Sequence, residues 1–326
     1  MRSILIHVTG DRLGDALLKL PVLRAFRQAH PDTWISWVTG KRPSIFAGRL
    51  KVLVDGLIDE IHEATGLGQS LFEVVPAALR GRYDMVVSTE SRLRDTLALR
   101  RLRADAFISP AAKFLFSSRR AGPGYAQESS YEQFRILLSL AGNRELVPTP
   151  NIDLPTDMLA AAGSVLPDGP RYAGLSPGAG RKSKIWPLQN YVALANWLLN
   201  RGFIVVFFLG PEESDLRVVL AESVPRAMFP ESAPTIRDLD SPLTTIALAR
   251  RMQFSVTNDS GGGHLIAAGG RPTVTLYGHT SARKFASPYC VQIPVCAEEY
   301  GGRSLAELST ETVRGAITAA GLLDLP

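Results

Sequence analysis

Asp259-Ser260-Gly261-Gly262-Gly263-His264 brings a carboxylate, a hydroxyl, three glycines and an imidazole together directly after a short apolar run, Phe254-Ser255-Val256. A helix-compatible run, Leu265-Ile266-Ala267-Ala268, follows. Asp or Ser before such a run is a helix-capping signal, because its side-chain oxygen accepts from backbone N–H groups that have no partner within the helix. Glycines let another molecule approach the backbone closely. A strand, a glycine turn and a helix start together present free N–H groups and the positive end of the helix dipole, which suits an anion. His264 would lie in that helix's first turn. The stretch reads as a pyrophosphate cradle, and its plainer reading is a flexible strand-to-helix loop that binds nothing.

Three more stretches carry chemistry-bearing residues. Ser176-Pro177-Gly178-Ala179-Gly180-Arg181-Lys182-Ser183-Lys184 opens from a strand into a glycine loop with three cations, and Pro187 follows at a helix start. A lysine on such a loop neutralises phosphate as a point charge. The order G-x-x-x-x-G-K-[ST] is absent, so this is not a Walker loop. Gly210-Pro211-Glu212-Glu213 comes after the apolar run Phe203–Leu209. Acidic residues there bind ribose hydroxyls, or simply begin the next helix favourably. Finally, Thr9-Gly10-Asp11-Arg12-Leu13-Gly14-Asp15 follows the first strand. Asp15, at the start of a helix, could take a proton from a hydroxyl nucleophile. Alternatively Asp15 only complements the helix dipole, or Asp11 is the functional acid. G-x-G-x-x-G is missing, and no acidic residue ends the second strand at Thr39-Gly40-Lys41-Arg42, which weighs against a nicotinamide enzyme.

These stretches need strands and helices to hold them, and the chain supplies an alternating series. Strands are expected at Ser3–Val8, Thr33–Val38, Tyr83–Ser88, Arg171–Ser176, Phe203–Leu209, Phe254–Thr257 and Thr273–Tyr277. Helices are expected at Asp15–Ala29, Gly66–Arg80, Thr156–Val165, Pro187–Asn200, Thr244–Arg251, Leu265–Gly269 and Leu305–Ala320, with Pro21 kinking or splitting the first. Repeated βα pairs imply parallel sheets covered on both faces. Val147-Pro148-Thr149-Pro150-Asn151-Ile152-Asp153-Leu154-Pro155 holds three prolines and reads as an extended tether between two α/β halves. At 326 residues, two domains are the natural division.

Composition is that of an ordinary globular chain, 45% hydrophobic and 21% charged. No apolar run approaches the roughly 20 residues needed to cross a bilayer, and the first residues read as a strand, not a signal peptide. Cys290 and Cys296 make neither a disulfide framework nor a metal-site spacing. A bacterial-type cytoplasmic setting is therefore expected. The net charge is +5. Residues 91–120 concentrate Arg92, Arg94, Arg100, Arg101, Arg103, Lys113, Arg119 and Arg120 against Asp95 and Asp105. Such a run is a solvated face, or it attracts an acidic partner or an anionic lipid surface. Nucleic acid fits less well, because few aromatics interleave with the charges and no reader motif occurs.

In order along the chain, these stretches resemble glycosyltransferase family 9, the ADP-heptose–lipopolysaccharide heptosyltransferases. The matching residues are Arg12-Leu13-Gly14-Asp15-Ala16-Leu17 with Pro21, Ser176-Pro177-Gly178-Ala179, Lys184-Ile185-Trp186-Pro187 and Gly210-Pro211-Glu212. Asp259-Ser260-Gly261, His264-Leu265-Ile266-Ala267-Ala268, Arg271-Pro272-Thr273 and Tyr277-Gly278 complete the series. The resemblance implies a GT-B fold: an α/β chain with two Rossmann-like, doubly wound domains facing across a cleft. The acceptor would bind residues 1–155 and the nucleotide sugar residues 156–326. Transfer would be inverting and metal-independent, with an ADP-sugar as donor substrate and no cofactor.

Asp15 matches the family's catalytic base, Lys184 its phosphate lysine, and Asp259, Ser260, Gly261 and His264 its donor-diphosphate loop. Ser176, Gly178 and Gly262 join the expected donor set, with either Glu212 or Glu213 near the ribose. Arg12, Arg92, Arg94, Arg119 and Arg120 are the expected contacts to an acidic, lipid-linked or oligosaccharide acceptor at the inner membrane's cytoplasmic face. The chain departs from the family where Ser260 replaces a more usual Thr, Gly262-Gly263 a bulkier pair, and Gly180 a frequent hydroxyl residue. Two other readings are a nucleotide-sugar-binding homologue without turnover and a GT-B sugar-nucleotide epimerase.

Overall fold

The computed structural model describes residues 1–70, 73–239 and 241–325. The chain separates into two compact units, residues 1–150 and 151–326. The division falls inside the proline-rich tether, between Pro150 and Asn151, and not at its end.

The first unit runs β1 (Ser3–Val8), α1 (Leu13–Ala29), β2 (Trp34–Thr39), β3 (Glu60–His62), β4 (Arg82–Ser88), α2 (Leu93–Leu99), β5 (Arg103–Ile108) and α3 (Ser130–Gly142). Its strands are parallel in the order β3-β2-β1-β4-β5. Ile4, Leu5, Ile6, Trp37, Val38, Val86 and Val87 are wholly buried. Such unbroken apolar runs mark strands covered on both faces. α1 buries Leu17, Leu20, Leu23 and Phe26 and is not split at Pro21.

The helix expected over Gly66–Arg80 does not form among the described residues; Leu71 and Phe72 lie outside them. One 3₁₀ turn, Ala77–Leu79, is all that appears. Gly66 and Gly68 take positive φ, and the Glu73 carboxylate accepts from the backbone N–H of Gly68 and Ser70. That local bonding competes with a helical ladder. Conversely, the basic run 91–120 contains α2 and β5, neither of which its charge pattern suggested. β5 is an edge strand, where charges blunt the exposed ladder.

The second unit runs α4 (Thr156–Val165), β6 (Tyr172–Ser176), α5 (Leu188–Leu199), β7 (Ile204–Phe207), α6 (Leu216–Ser223), α7 (Pro234–Arg237), α8 (Pro242–Ala249), β8 (Phe254–Asn258), α9 (Gly261–Ala267), β9 (Thr273–Tyr277), β10 (Gln292–Cys296) and α10 (Thr310–Ala319). The parallel order is β10-β9-β8-β6-β7. Counted within the unit this is 2-1-3-4-5, the other common doubly wound order, whereas the first sheet has the 3-2-1-4-5 order. The β7 edge is covered by Met228, whose N–H bonds Val205 O at 2.8 Å while its carbonyl accepts from Phe207 N at 2.9 Å.

Several elements differ from expectation here. α9 begins at Gly261, four residues before Leu265, because the glycines themselves form its first turn. The expected Leu305–Ala320 helix is a 3₁₀ turn, Leu305–Glu307, followed by α10, which Ser309 caps by accepting from Thr312 N. β10 contains Pro294, which an edge strand tolerates.

In each sheet the chain reverses direction once, between β1 and β4 in the first and between β6 and β8 in the second. Ligands of open α/β sheets bind beyond the strands' carboxyl ends at such points.

Candidate functional site

At the second unit's switch point, the loop after β6 meets the loop after β8. Asn258, the last residue of β8, is wholly buried and joins them. Its Nδ2 donates to Pro177 O at 2.8 Å and Gly178 O at 3.4 Å, and its Oδ1 accepts from Trp186 N at 3.2 Å. The Tyr191 hydroxyl lies between Ser176 O at 2.9 Å and Asn258 Oδ1 at 3.0 Å. These polar groups are thus satisfied inside an apolar core that could not otherwise accept them.

Ser260 caps α9 as its sequence position suggests, with Oγ accepting from Gly263 N at 3.1 Å. A Cβ at Gly263 would sit 2.6 Å from Asn258 O, so only glycine fits there. At Gly262 the nearest atoms to an added Cβ are Ser176 Oγ and Ser260 Oγ, at 3.7 and 3.8 Å. Ser176, Ser260 and Gly262 therefore form one surface. His264 is half-buried in the first turn of α9. Lys184 Nζ bonds Asp259 Oδ2 at 2.6 Å, and Thr280 Oγ1 donates to the same oxygen at 2.7 Å. The lysine thus reaches the glycine helix from 75 residues away.

Of the two glutamates, Glu212 is exposed while Glu213 folds back over the glycine loop. A Cβ on Gly178 would lie 2.3 Å from Glu213 Oε1, and one on Gly210 would lie 2.7 Å from Oε2. Burial raises the Glu213 carboxyl pKa, with the neighbouring Glu212 adding to the effect. Asn258 and Thr280 were not singled out as site residues from sequence. Asn258 immediately precedes the capping residues, but its reach to residues 177–191 depends on strand pairing. Thr280 has no local signal.

At the first unit's switch point, the turn after β1 meets the turn after β4. Asp15 lies half-buried in the first turn of α1, behind an exposed Arg12. Asp11, the alternative acid, is buried and occupied: Oδ1 binds Lys19 Nζ at 2.8 Å, and Oδ2 accepts from Trp37 Nε1 at 2.7 Å and Ser44 Oγ at 3.0 Å. This is a structural anchor. Arg92 Nη2 donates to Thr9 Oγ1 at 2.5 Å, and Nε pairs with Asp95 at 2.9 Å. Arg94 is 4.0 Å from the same carboxylate. Arg119 Nη1 bonds Leu140 O and Ala141 O, so this guanidinium caps the carboxyl end of α3. Arg120 is exposed.

The architecture has counterparts among solved structures. A family 9 glycosyl transferase from Veillonella parvula superposes with a TM-score of 0.69 at 20% identity, covering 99% of this chain and 97% of that one. E. coli heptosyltransferase WaaC with ADP gives 0.66 at 21%, covering 99% of both. Two parallel α/β units of this kind define a GT-B fold. The profile of glycosyltransferase family 9 (heptosyltransferase) matches residues 77–312, and the chain belongs to that family. Lipooligosaccharide heptosyltransferase 2 of Haemophilus influenzae is 32% identical over 109 residues, which span 33% of this chain and 31% of that relative.

Among the described residues no group of three or more His, Cys, Asp or Glu could hold a metal ion. No described helix is long and apolar enough to cross a membrane.

Proposed function

We propose that the protein is an inverting, metal-independent glycosyltransferase that moves heptose from ADP-heptose onto a lipopolysaccharide-core acceptor. The observation that carries the reading is the meeting of the Ser260-capped glycine helix, Lys184 and the Gly178 loop at the second sheet's switch point. A leaving nucleoside diphosphate gathers negative charge, and a helix amino terminus beside an ammonium group is a preorganised field for it. Glu213, closing on the same loop, is the carboxylate for the ribose. A related chain of known structure is described as a heptosyltransferase with ADP, which supports the choice of nucleotide.

In this reading Asp15 takes the proton from an acceptor hydroxyl as that oxygen attacks the anomeric carbon and the bond to the diphosphate breaks. The proton ends on Asp15, and the electron pair leaves with ADP. Inversion follows from a single displacement. The exposed arginines Arg12 and Arg120, with Arg92 and Arg94, supply positive charge for an acidic, lipid-linked acceptor at the inner membrane's cytoplasmic face.

The test is ADP release from ADP-heptose in the presence of a truncated core acceptor. Asp15→Ala should lose turnover by a factor of about 10²–10⁴, the usual contribution of a positioned base, yet still bind ADP by calorimetry. Normal turnover in that variant refutes the base assignment. Wild-type protein that binds ADP but transfers to no acceptor refutes the activity.

A further inference from the structure

The first unit holds a second carboxylate whose placement the mechanism above does not use. We propose that Glu90 is a positioning residue for transfer: it ties down the turn leading to Asp15. The proposal rests on the reading of Asp15 as the base.

Glu90 follows β4 by two residues, directly at the first sheet's switch point. Its Oε1 accepts from Thr9 N at 3.0 Å, and Arg92 Nη2 bridges Thr9 Oγ1 and Glu90 Oε2 at 2.5 and 3.4 Å. The amide and hydroxyl of Thr9 are therefore held from the segment after the neighbouring strand β4, and Thr9 begins the turn that becomes α1 and carries Asp15. Arg92 is fixed in turn by the buried Asp95.

The charges around the site bear on the same point. Lys19 lies one helical turn beyond Asp15 on α1, with its ammonium on Asp11. Burial opposes that ammonium, yet its pKa is raised, because Asp11, Asp15 and Glu90 all act on it.

Other groups facing Glu90 register its charge. His7 is driven down by burial while Glu90 opposes, and Tyr125 is raised by burial with Glu90 adding to it. Asp95 is raised by burial, with Arg92 opposing and Glu90 contributing. Tyr125 is braced edge-on by Phe114 at 4.9 Å. Phe114 ends three successive left-handed residues, Ala112, Lys113 and Phe114, at φ 49°, 54° and 63°. Strain of that kind collects at functional sites.

Glu90→Gln keeps an oxygen for Thr9 N and should hold kcat within about threefold of wild type, whereas Glu90→Ala removes the tether and should lower kcat about tenfold or more. ADP affinity by calorimetry should be unchanged in both, and thermal melting shows whether each remains folded. Wild-type kcat in a folded Glu90→Ala protein overturns the proposal, as does equal activity of the Ala and Gln variants. Asp15→Ala, measured in parallel, separates the two readings: normal turnover there defeats the base assignment itself.

Discussion

Asn258→Asp changes two hydrogens and one charge where the loops after β6 and β8 meet. The carboxylate can still accept from Trp186 N and Tyr191 Oη, at 3.2 and 3.0 Å in the present structure. It cannot donate to Pro177 O or Gly178 O, which lie 2.8 and 3.4 Å from the amide nitrogen. Losing two net hydrogen bonds costs about 1–2 kcal/mol, and two carbonyls facing a buried carboxylate add about 1–3 more. The sum is about 3 kcal/mol at pH 8.

The variant has one escape, which gives the test its signature. A buried aspartate facing carbonyls has a raised folded pKa, so it can protonate and restore one donor. The folded state then binds more protons than the unfolded one, and the variant gains stability as pH falls through the folded pKa toward about 4. Urea titrations of both proteins at pH 8 and pH 5 measure the difference, and subtracting wild type removes titrations common to both. The expected penalty is largest at pH 8 and shrinks by about 1 kcal/mol or more at pH 5. ADP affinity should fall about tenfold at pH 8 as the Pro177–Gly178 backbone loses its anchor. A penalty below about 0.5 kcal/mol at pH 8, with no pH dependence, would refute the idea that Asn258 joins these loops.

Two further outcomes follow from the same reasoning. Gly263→Ala should destabilise the protein by about 1–3 kcal/mol in a urea titration, because its Cβ would meet Asn258 O at 2.6 Å. Gly262→Ala should be neutral or stabilising by up to about 1 kcal/mol, since it makes ordinary contacts and helps a helix. Equal effects would contradict the packing described. His7 is buried, and burial lowers its pKa to about 4. The unfolded state therefore binds the proton first, so stability present above about pH 6.5 is lost as pH falls, by about 3 kcal/mol at pH 4. His7→Leu should flatten that slope between pH 6.5 and 4; an unchanged slope would assign it to other groups.

The order of the glycine-rich loops was legible because their chemistry is local. Ser260 caps a helix through a residue three positions away, and glycines permit that geometry wherever they occur. The apolar runs of β1, β6 and β8 likewise announce buried parallel strands. Charge hid other elements: α2 and β5 lie in a stretch whose arginines read as surface, and Pro294 disguised the edge strand β10. Gly66–Arg80 failed the other way, since helical spacing there gives way to glycine turns and the Glu73 bonds.

Sequence alone therefore determined the residue types, the strand–loop–helix rhythm, the two-unit division and the family resemblance, all of which rest on near-neighbour chemistry or order along the chain. Tertiary structure decided where each carboxylate sits and what it touches. Asp11 and Asp15 are four positions apart and alike in type, yet one is locked under Trp37 and Ser44 while the other remains in the helix's first turn. Glu212 and Glu213 are adjacent, yet only the second closes on Gly178. Glu90 reaches Thr9 across 81 residues. Strand order sets those distances, and strand order is a property of the packed sheet that no local pattern encodes.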